Sequence, residues 1–142
     1  MNKIVSCVLL SSVLSCVAIA ENTLPVAPEG AAVYFIEPAA SAVVAQSFTV
    51  KFGLKGMGVA PAGIEKENTG HHHILINTPL DSVDLSQPLP ATDGVRHFGG
   101  GQTETELTLE PGEYTLQLLL GNYAHMPHDK PVVSEQITIV VE

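Results

Sequence analysis

Short segments in which apolar and polar residues alternate recur along most of the chain. In residues 47–54, Phe48, Val50 and Phe52 fall on one side while Thr49 and Lys51 fall on the other. This two-residue period is that of a β-strand with one buried face. The pattern predicts strands over residues 32–37, 47–54, 72–77, 104–109, 114–120 and 134–141. No amphipathic helix longer than two turns is evident, and short strands separated by turns favour an all-β sandwich.

One local motif sharpens the fold class. The segment 109–114 (LEPGEY) resembles the tyrosine corner of immunoglobulin-like sandwiches, in which a Tyr at the start of a strand bonds to nearby backbone. An ordinary hairpin turn with a packed Tyr114 is the alternative. We predict an immunoglobulin-like antiparallel β-sandwich with long histidine-bearing loops. Its predicted core contains Phe48, Val50, Phe52, Tyr114, Leu116, Leu118, Ile137 and Ile139.

The first twenty residues have the order of a secretory signal peptide. Lys3 precedes a largely apolar run, and Ala18-Ile19-Ala20 fits the small-x-small cleavage pattern. We therefore expect a signal peptide over residues 1–20, a flexible arm over 21–30 and one domain over 31–142. The mature protein is expected in the periplasm or outside the cell, without stable membrane insertion. A lipoprotein acylated at Cys16 is the alternative.

Composition narrows the chemistry of the mature chain. Both cysteines, Cys7 and Cys16, fall within the predicted signal peptide, so thiolate metal sites and cysteine nucleophiles are excluded from the domain. The 142 residues include 15 acidic and six basic ones, for a net charge of −9 at pH 7. Such a field repels phosphate backbones and tolerates cations, which makes nucleic acid an unsuitable partner.

All six histidines fall between residues 71 and 128. His71, His72 and His73 open a predicted strand, so His71 and His73 share one face and can reach one metal ion. His72 should then lie on the core side, with His71 and His73 facing outward or lining a rim. The other three histidines, His97, His125 and His128, lie in the long loops that follow.

Residues 125–129 (HMPHD) offer two imidazoles, a thioether and a carboxylate. Imidazole suits copper, zinc, iron or nickel, and thioether selects Cu(I). We expect a metal site drawn from His71, His73, His125 and His128, with His97 and Met126 as secondary candidates. Copper is favoured because divalent copper tops the affinity order and Met126 lies between two histidines. Zinc is the alternative.

Two other readings remain open. The histidines can form a structural polar network that ties the loops to the sheets, without binding any ion. A catalytic site is less well supported, because the chain has no nucleophile motif, no phosphate-cradling loop and no HExxH. The sequence therefore favours a binding protein, not an enzyme.

Four motifs in order resemble a bacterial family of exported proteins, the domain-of-unknown-function family 4399. They are residues 70–76 (GHHHILI), 97–104 (HFGGGQTE), 109–112 (LEPG) with 115–118 (TLQL), and 125–128 (HMPH). The resemblance extends roughly from Tyr34 to the C-terminus. It implies an exported protein and adds no established activity, so the functional interpretation rests on the histidines.

Overall fold

In a computed structural model, which describes residues 23–142, the chain folds into two packed β-sheets. The strands are β1 (Ala32–Glu37), β2 (Val43–Val44), β3 (Ser47–Lys55), β4 (Gly58–Val59), β5 (Thr69–Ile76), β6 (Val95–His97), β7 (Glu104–Thr108), β8 (Gly112–Gly121) and β9 (Ile137–Val141). The predicted signal peptide and both cysteines lie outside the described residues.

The described part of the chain is almost free of helix. Its one helical element is a single 3-10 turn over Leu80–Ser82. The described residues therefore contain no helix that is long and apolar enough to span a membrane.

The strand order is that of an immunoglobulin-like sandwich. One sheet has the order β1-β3-β7, and the other has the order β2-β9-β8-β5-β4 with β6 also paired to β5. All pairs are antiparallel except the two-residue contacts β2–β9 and β4–β5. Strands β1, β3 and β7 correspond to A, B and E of the immunoglobulin fold, and β5, β8 and β9 to C, F and G. The predicted all-β sandwich is confirmed.

The hydrophobic core lies between the two sheets and contains the residues that the alternation selected. Leu116, Leu118 and Ile139 are fully buried, as is Val50. Phe48 and Phe52 are also buried, while Tyr114 and Ile137 are partly buried and pack against the same cluster. The alternation therefore assigns the inward faces of β3, β8 and β9 correctly.

The tyrosine corner is present. Tyr114 lies near the start of β8, and its hydroxyl donates a hydrogen bond of 3.0 Å to the backbone carbonyl of Glu110. This contact fixes the connection between β7 and β8 at the position typical of immunoglobulin-like domains.

The larger sheet is also covered on its outer face. Leu75 of β5 and Leu119 of β8 point away from the core between the sheets, yet both are buried. Leu89, in the connection that follows β5, is buried as well. This second buried layer, on the outside of the larger sheet, is the layer that contains most of the histidines.

The two long connections predicted between strands, residues 56–70 and 78–101, contain more regular structure than the alternating pattern indicated. The first contains β4, and the second contains the 3-10 turn and β6. Both strands are only two or three residues long, so neither is long enough to show a repeating pattern of apolar and polar positions. At the N-terminus, the carbonyl of Pro25 accepts a hydrogen bond of 2.9 Å from the amide of Asp129.

Candidate metal centre

Strand β5 carries three consecutive histidines after Thr69 and Gly70, all of them 0 % exposed. His72 faces the core, where its ring lies 4.6 Å from that of Phe52. His71 and His73 point to the opposite face, as the strand period requires. Both therefore face outward from the core between the sheets, as expected, and both are buried there because the rings of His97 and His125 pack against them.

Strand pairing brings His97 to the first pair. Strand β6 runs antiparallel to β5, and His97 is directly opposite His73, so both side chains are on the same face of the sheet. The two ring centroids are 5.1 Å apart, and the ring of His97 is 4.9 Å from that of His71. A three-residue strand thus delivers an imidazole from a segment that is remote in sequence.

The loop after β8 brings the fourth imidazole. The ring of His125 lies 4.9 Å from that of His71 and 4.6 Å from that of His97. We call His71, His73, His97 and His125 the histidine cluster. Two members come from β5, one comes from the neighbouring strand β6, and one comes from the loop after β8.

The loop that carries His125 is held in a defined conformation. The side-chain oxygen of Asn122 accepts hydrogen bonds from the amides of Ala124 and Met126, at 2.8 and 3.0 Å. His125 itself has a φ of 64°, a left-handed conformation that is uncommon for a residue with a side chain. Its carbonyl accepts a hydrogen bond of 2.9 Å from the amide of Leu89. Such strain persists only where the surroundings enforce it, and it is frequent at functional sites.

Three members of the cluster meet at metal-ligand spacing. One ring nitrogen each from His71, His97 and His125 lies within 4.8 Å of the others. The Nε2 atoms of His97 and His125 are 3.1 Å apart. Two nitrogens bound to one ion at 2.0–2.1 Å in tetrahedral geometry lie about 3.3–3.4 Å apart. This group of side chains can therefore hold a metal ion after small adjustments.

Within residues 23–142, the three buried histidines of β5 have no hydrogen-bond partners at their ring nitrogens, and His72 on the core side is one of them. Both ring nitrogens of His71 and both of His73 are buried without a hydrogen bond. A buried polar atom left without a partner costs about 1–3 kcal/mol, so native structures seldom leave four of them together. Within residues 23–142, no carboxylate hydrogen-bonds to a ring of the cluster, and one hydrogen bond inside the cluster joins His97 to His125.

The two buried members of the cluster, His71 and His73, are uncharged at neutral pH. Burial, and then the neighbouring imidazoles, lower the pKa of His71 to about 4 and that of His73 to about 3. Burial and the proximity of His125 also lower the pKa of His97. A neutral imidazole keeps the lone pair that a metal ion requires, so these rings are ready to ligate.

Two glycines leave room for the rings. A Cβ added at Gly121, on β8, would lie 2.9 Å from Cε1 of His73 and 3.3 Å from Cα of His125. A Cβ added at Gly99 would overlap the ring of His97. The alternating pattern did not predict a role for Gly121 or Asn122. A glycine at the end of a strongly apolar strand is nevertheless a signal that other atoms approach the backbone closely, which applies to Gly121.

The remaining predicted ligands are not part of the cluster. His128 is 2 % exposed, its ring makes no ring contact with the four, and its Nδ1 has no hydrogen-bond partner. Burial lowers its pKa, while Asp129 and the backbone of Leu120 oppose that effect. Met126 is partly buried, and its backbone closes the loop by accepting a hydrogen bond of 2.9 Å from the amide of Asn122.

Comparison with known proteins identifies one family. The model of a domain of unknown function, DUF4399, matches residues 50–142, which include every histidine of the chain. No curated protein and no solved structure matches the chain. The match spans well over half of the sequence and agrees with the resemblance found in its motifs, so the chain belongs to the DUF4399 family.

Proposed function

We propose that this protein binds one transition-metal ion, with copper favoured, through His71, His97 and His125. The ring centroid of His73, the fourth member of the histidine cluster, lies 4.9 Å from that of His71 and 5.1 Å from that of His97. The observation that carries the proposal is the placement of one ring nitrogen each from His71, His97 and His125 within 4.8 Å of one another. A bound cation also gives one ring nitrogen of the buried His71 the interaction that the folded chain does not.

A purely structural network of histidines explains the cluster less well. Buried polar networks stabilise a fold when every member is satisfied, and they cost free energy when members are not. Here one hydrogen bond joins two of the rings, and the two most buried rings have none. The four imidazoles instead converge on one place, where three of them present a ring nitrogen to a single ion.

The donor set favours copper and leaves zinc as the second candidate. Imidazole binds both metals well, and divalent copper exceeds zinc in the general affinity order. Three histidines also form catalytic zinc sites, in which a fourth position takes water. The proposed ligand set contains no hard oxygen ligand, so calcium and magnesium do not fit it.

We also propose that the protein works outside the cytoplasm, where it meets exogenous metal. The support is the order of Lys3, an apolar run and Ala18-Ile19-Ala20, which is typical of export signals. An acidic surface, with a net charge of −9 for the whole chain, attracts cations to such a protein.

Calorimetric titration of the metal-free protein with Cu(II) and Zn(II) at pH 7 tests the proposal. We expect one ion per chain with a Kd of about 1 μM or lower, equivalent to about −8 kcal/mol. Replacement of one ligand, in His71→Gln or His125→Gln, should weaken binding at least tenfold. His128→Gln is the matched control, because it removes a buried histidine outside the cluster and should leave the Kd unchanged.

Two outcomes contradict the proposal. One is a Kd for both metals far above 1 μM in a protein whose circular dichroism shows the intact β-sandwich. The other is an equal loss of affinity in His128→Gln and His71→Gln, which places the metal elsewhere. Either result favours the structural network of histidines.

A further inference from the structure

Strand β7 has an unpaired outer edge. On its inner side it pairs with β3, and the flanking hydrogen bonds, Phe52 N to Thr103 O and Leu109 N to Gln46 O, fix which residues face that partner. Antiparallel hydrogen-bonded pairs recur every second residue, so odd-numbered positions of β7 bond to β3. The backbone groups of Glu104, Glu106 and Thr108 therefore point away from the sheet, and no backbone group of residues 23–142 bonds to them. The carbonyl of Glu106 accepts one hydrogen bond of 3.4 Å, from the hydroxyl of Thr105.

This edge borders an open cleft between the two sheets. The cleft has a volume of about 950 Å³ and is lined on one side by residues 105–108 and on the other by residues 91–93 and 95–98. The opposite wall cannot serve as a partner edge along its length, because Val95 already exchanges backbone hydrogen bonds with Thr92. Strand β7 is thus the side of the cleft that can accept a further strand.

The charge on the edge indicates what the further strand carries. Glu104 and Glu106 are exposed on β7, while the opposite wall of the cleft carries one acidic and one basic residue, Asp93 and Arg96, whose charges offset each other. Pairing β7 with the β7 of a second copy would place these glutamates against one another, and like charges on adjacent strands are destabilising. Charged edge positions are a common defence against self-association. An extended segment with lysine or arginine at alternate positions avoids that repulsion.

We propose that β7 binds an extended basic peptide segment of another protein as an additional strand of the smaller sheet. The backbone of Glu106 and Thr108 supplies the hydrogen bonds, and the carboxylates of Glu104 and Glu106 select positive side chains. This mode of recognition, addition of a strand to a free sheet edge, draws affinity from main-chain bonds and specificity from alternate side chains. Strand β7 contributes no residue to the histidine cluster, although His97 of the cluster lies in the opposite wall of the same cleft.

The test is nuclear magnetic resonance on the full-length, metal-free protein with two blocked seven-residue peptides. One alternates lysine with valine, and the other alternates glutamate with valine. In the free protein, the amides of Glu106 and Thr108 should exchange quickly with solvent, while those of Thr105 and Leu107 are protected. The lysine peptide should bind with a sub-millimolar Kd and slow the exchange of Glu106 and Thr108, and the glutamate peptide should bind at least tenfold more weakly.

Two variants separate the backbone and charge contributions. Thr108→Pro removes an outward amide and the exposed 3.4 Å hydroxyl contact to Ser47 but keeps the backbone bonds to β3, and it should weaken the lysine peptide at least tenfold, whereas Thr108→Val removes only the hydroxyl contact and should not. Glu106→Gln keeps the backbone and should reduce the preference for lysine over glutamate. Protection elsewhere on the protein, equal binding of both peptides, no binding at millimolar peptide, or β7-mediated dimers of the free protein would each overturn the proposal.

Discussion

The imidazole of His73 lies against the backbone of Gly121, on the strand next to it. At this spacing a single methyl group decides whether the ring keeps its position, because interiors are close-packed and real Cβ atoms do not approach other atoms to 2.9 Å. The histidine cluster therefore depends on a residue that contributes no ligand of its own. We expect Gly121 to act as a positioning residue for His73 and for the loop that carries His125.

Gly121→Ala tests this dependence. The added Cβ displaces the ring of His73 or the backbone of His125, so copper affinity should fall about tenfold or more while the β-sandwich persists. The cost in stability should be about 1–3 kcal/mol, as for other overpacked sites. Gly58→Ala is a comparison substitution at a glycine without a positive φ, whose added Cβ meets only the methyl group of Thr69, at 3.4 Å. Unchanged copper affinity in Gly121→Ala would show that the spacing of the rings is not critical.

Burial of neutral histidines also predicts how the metal-free protein responds to acid. The pKa values of His71, His72 and His73 are lowered from 6.5 to between about 3 and 4, with burial as the main cause. The unfolded chain takes up protons at these residues near pH 6.5, whereas the folded chain does not. Stability is therefore fully present above pH 6.5 and is lost as the pH falls towards 4.

Urea unfolding of the metal-free protein at pH 7.5 and pH 5 measures this effect. One pKa unit corresponds to about 1.4 kcal/mol, so three such histidines should lower the free energy of unfolding by at least about 3 kcal/mol at pH 5. Replacing His71 and His73 by Gln should remove part of this dependence. A free energy of unfolding that is constant or rises between pH 7.5 and 5 would contradict neutral, buried histidines.

At the scale of elements, β8 connects the core and the site. Its inward face holds Leu116 and Leu118, which are fully buried, and its last residue, Gly121, adjoins the cluster. Leu116→Ala should cost about 2–5 kcal/mol of stability in chemical unfolding, because it leaves a cavity between the sheets. Val43→Ala, at a position that is 60 % exposed, should change stability by less than about 0.5 kcal/mol. A similar cost for both would contradict the assigned faces.

The sequence predicted the six longer strands and the shared face of His71 and His73, because a two-residue period is a local property of the chain. It did not predict which strands pair. The contact of His73 with His97 depends on β6, a strand of three residues whose partner is set by the whole sheet. The position of His125 depends on a left-handed backbone and on hydrogen bonds that the side-chain oxygen of Asn122 accepts. These are long-range or conformational features that alternation does not encode, which is why His128 ranked ahead of His97 among the expected ligands.

At the scale of the whole molecule, a β-sandwich carries the histidine cluster on the outer face of its larger sheet, and we propose that the protein is exported from the cytoplasm. Sequencing the N-terminus of the protein recovered from its native host tests the last part. We expect the mature chain to begin at Glu21, because cleavage follows the small-x-small motif of residues 18–20. Recovery of an intact Met1 from the cytoplasmic fraction would rule out export, and a diacylated Cys16 would establish a lipoprotein.

The central claim concerns where the metal lies, and crystals of the copper-loaded protein locate it most directly. Anomalous scattering at the copper absorption edge should give one strong peak per chain, about 2.0–2.2 Å from ring nitrogens of His71, His97 and His125, the usual length of a bond from metal to imidazole. Three results would contradict the proposed site: a peak at His128 or Met126 with none at the histidine cluster, several peaks at surface residues, or no peak in crystals of protein that was saturated with copper.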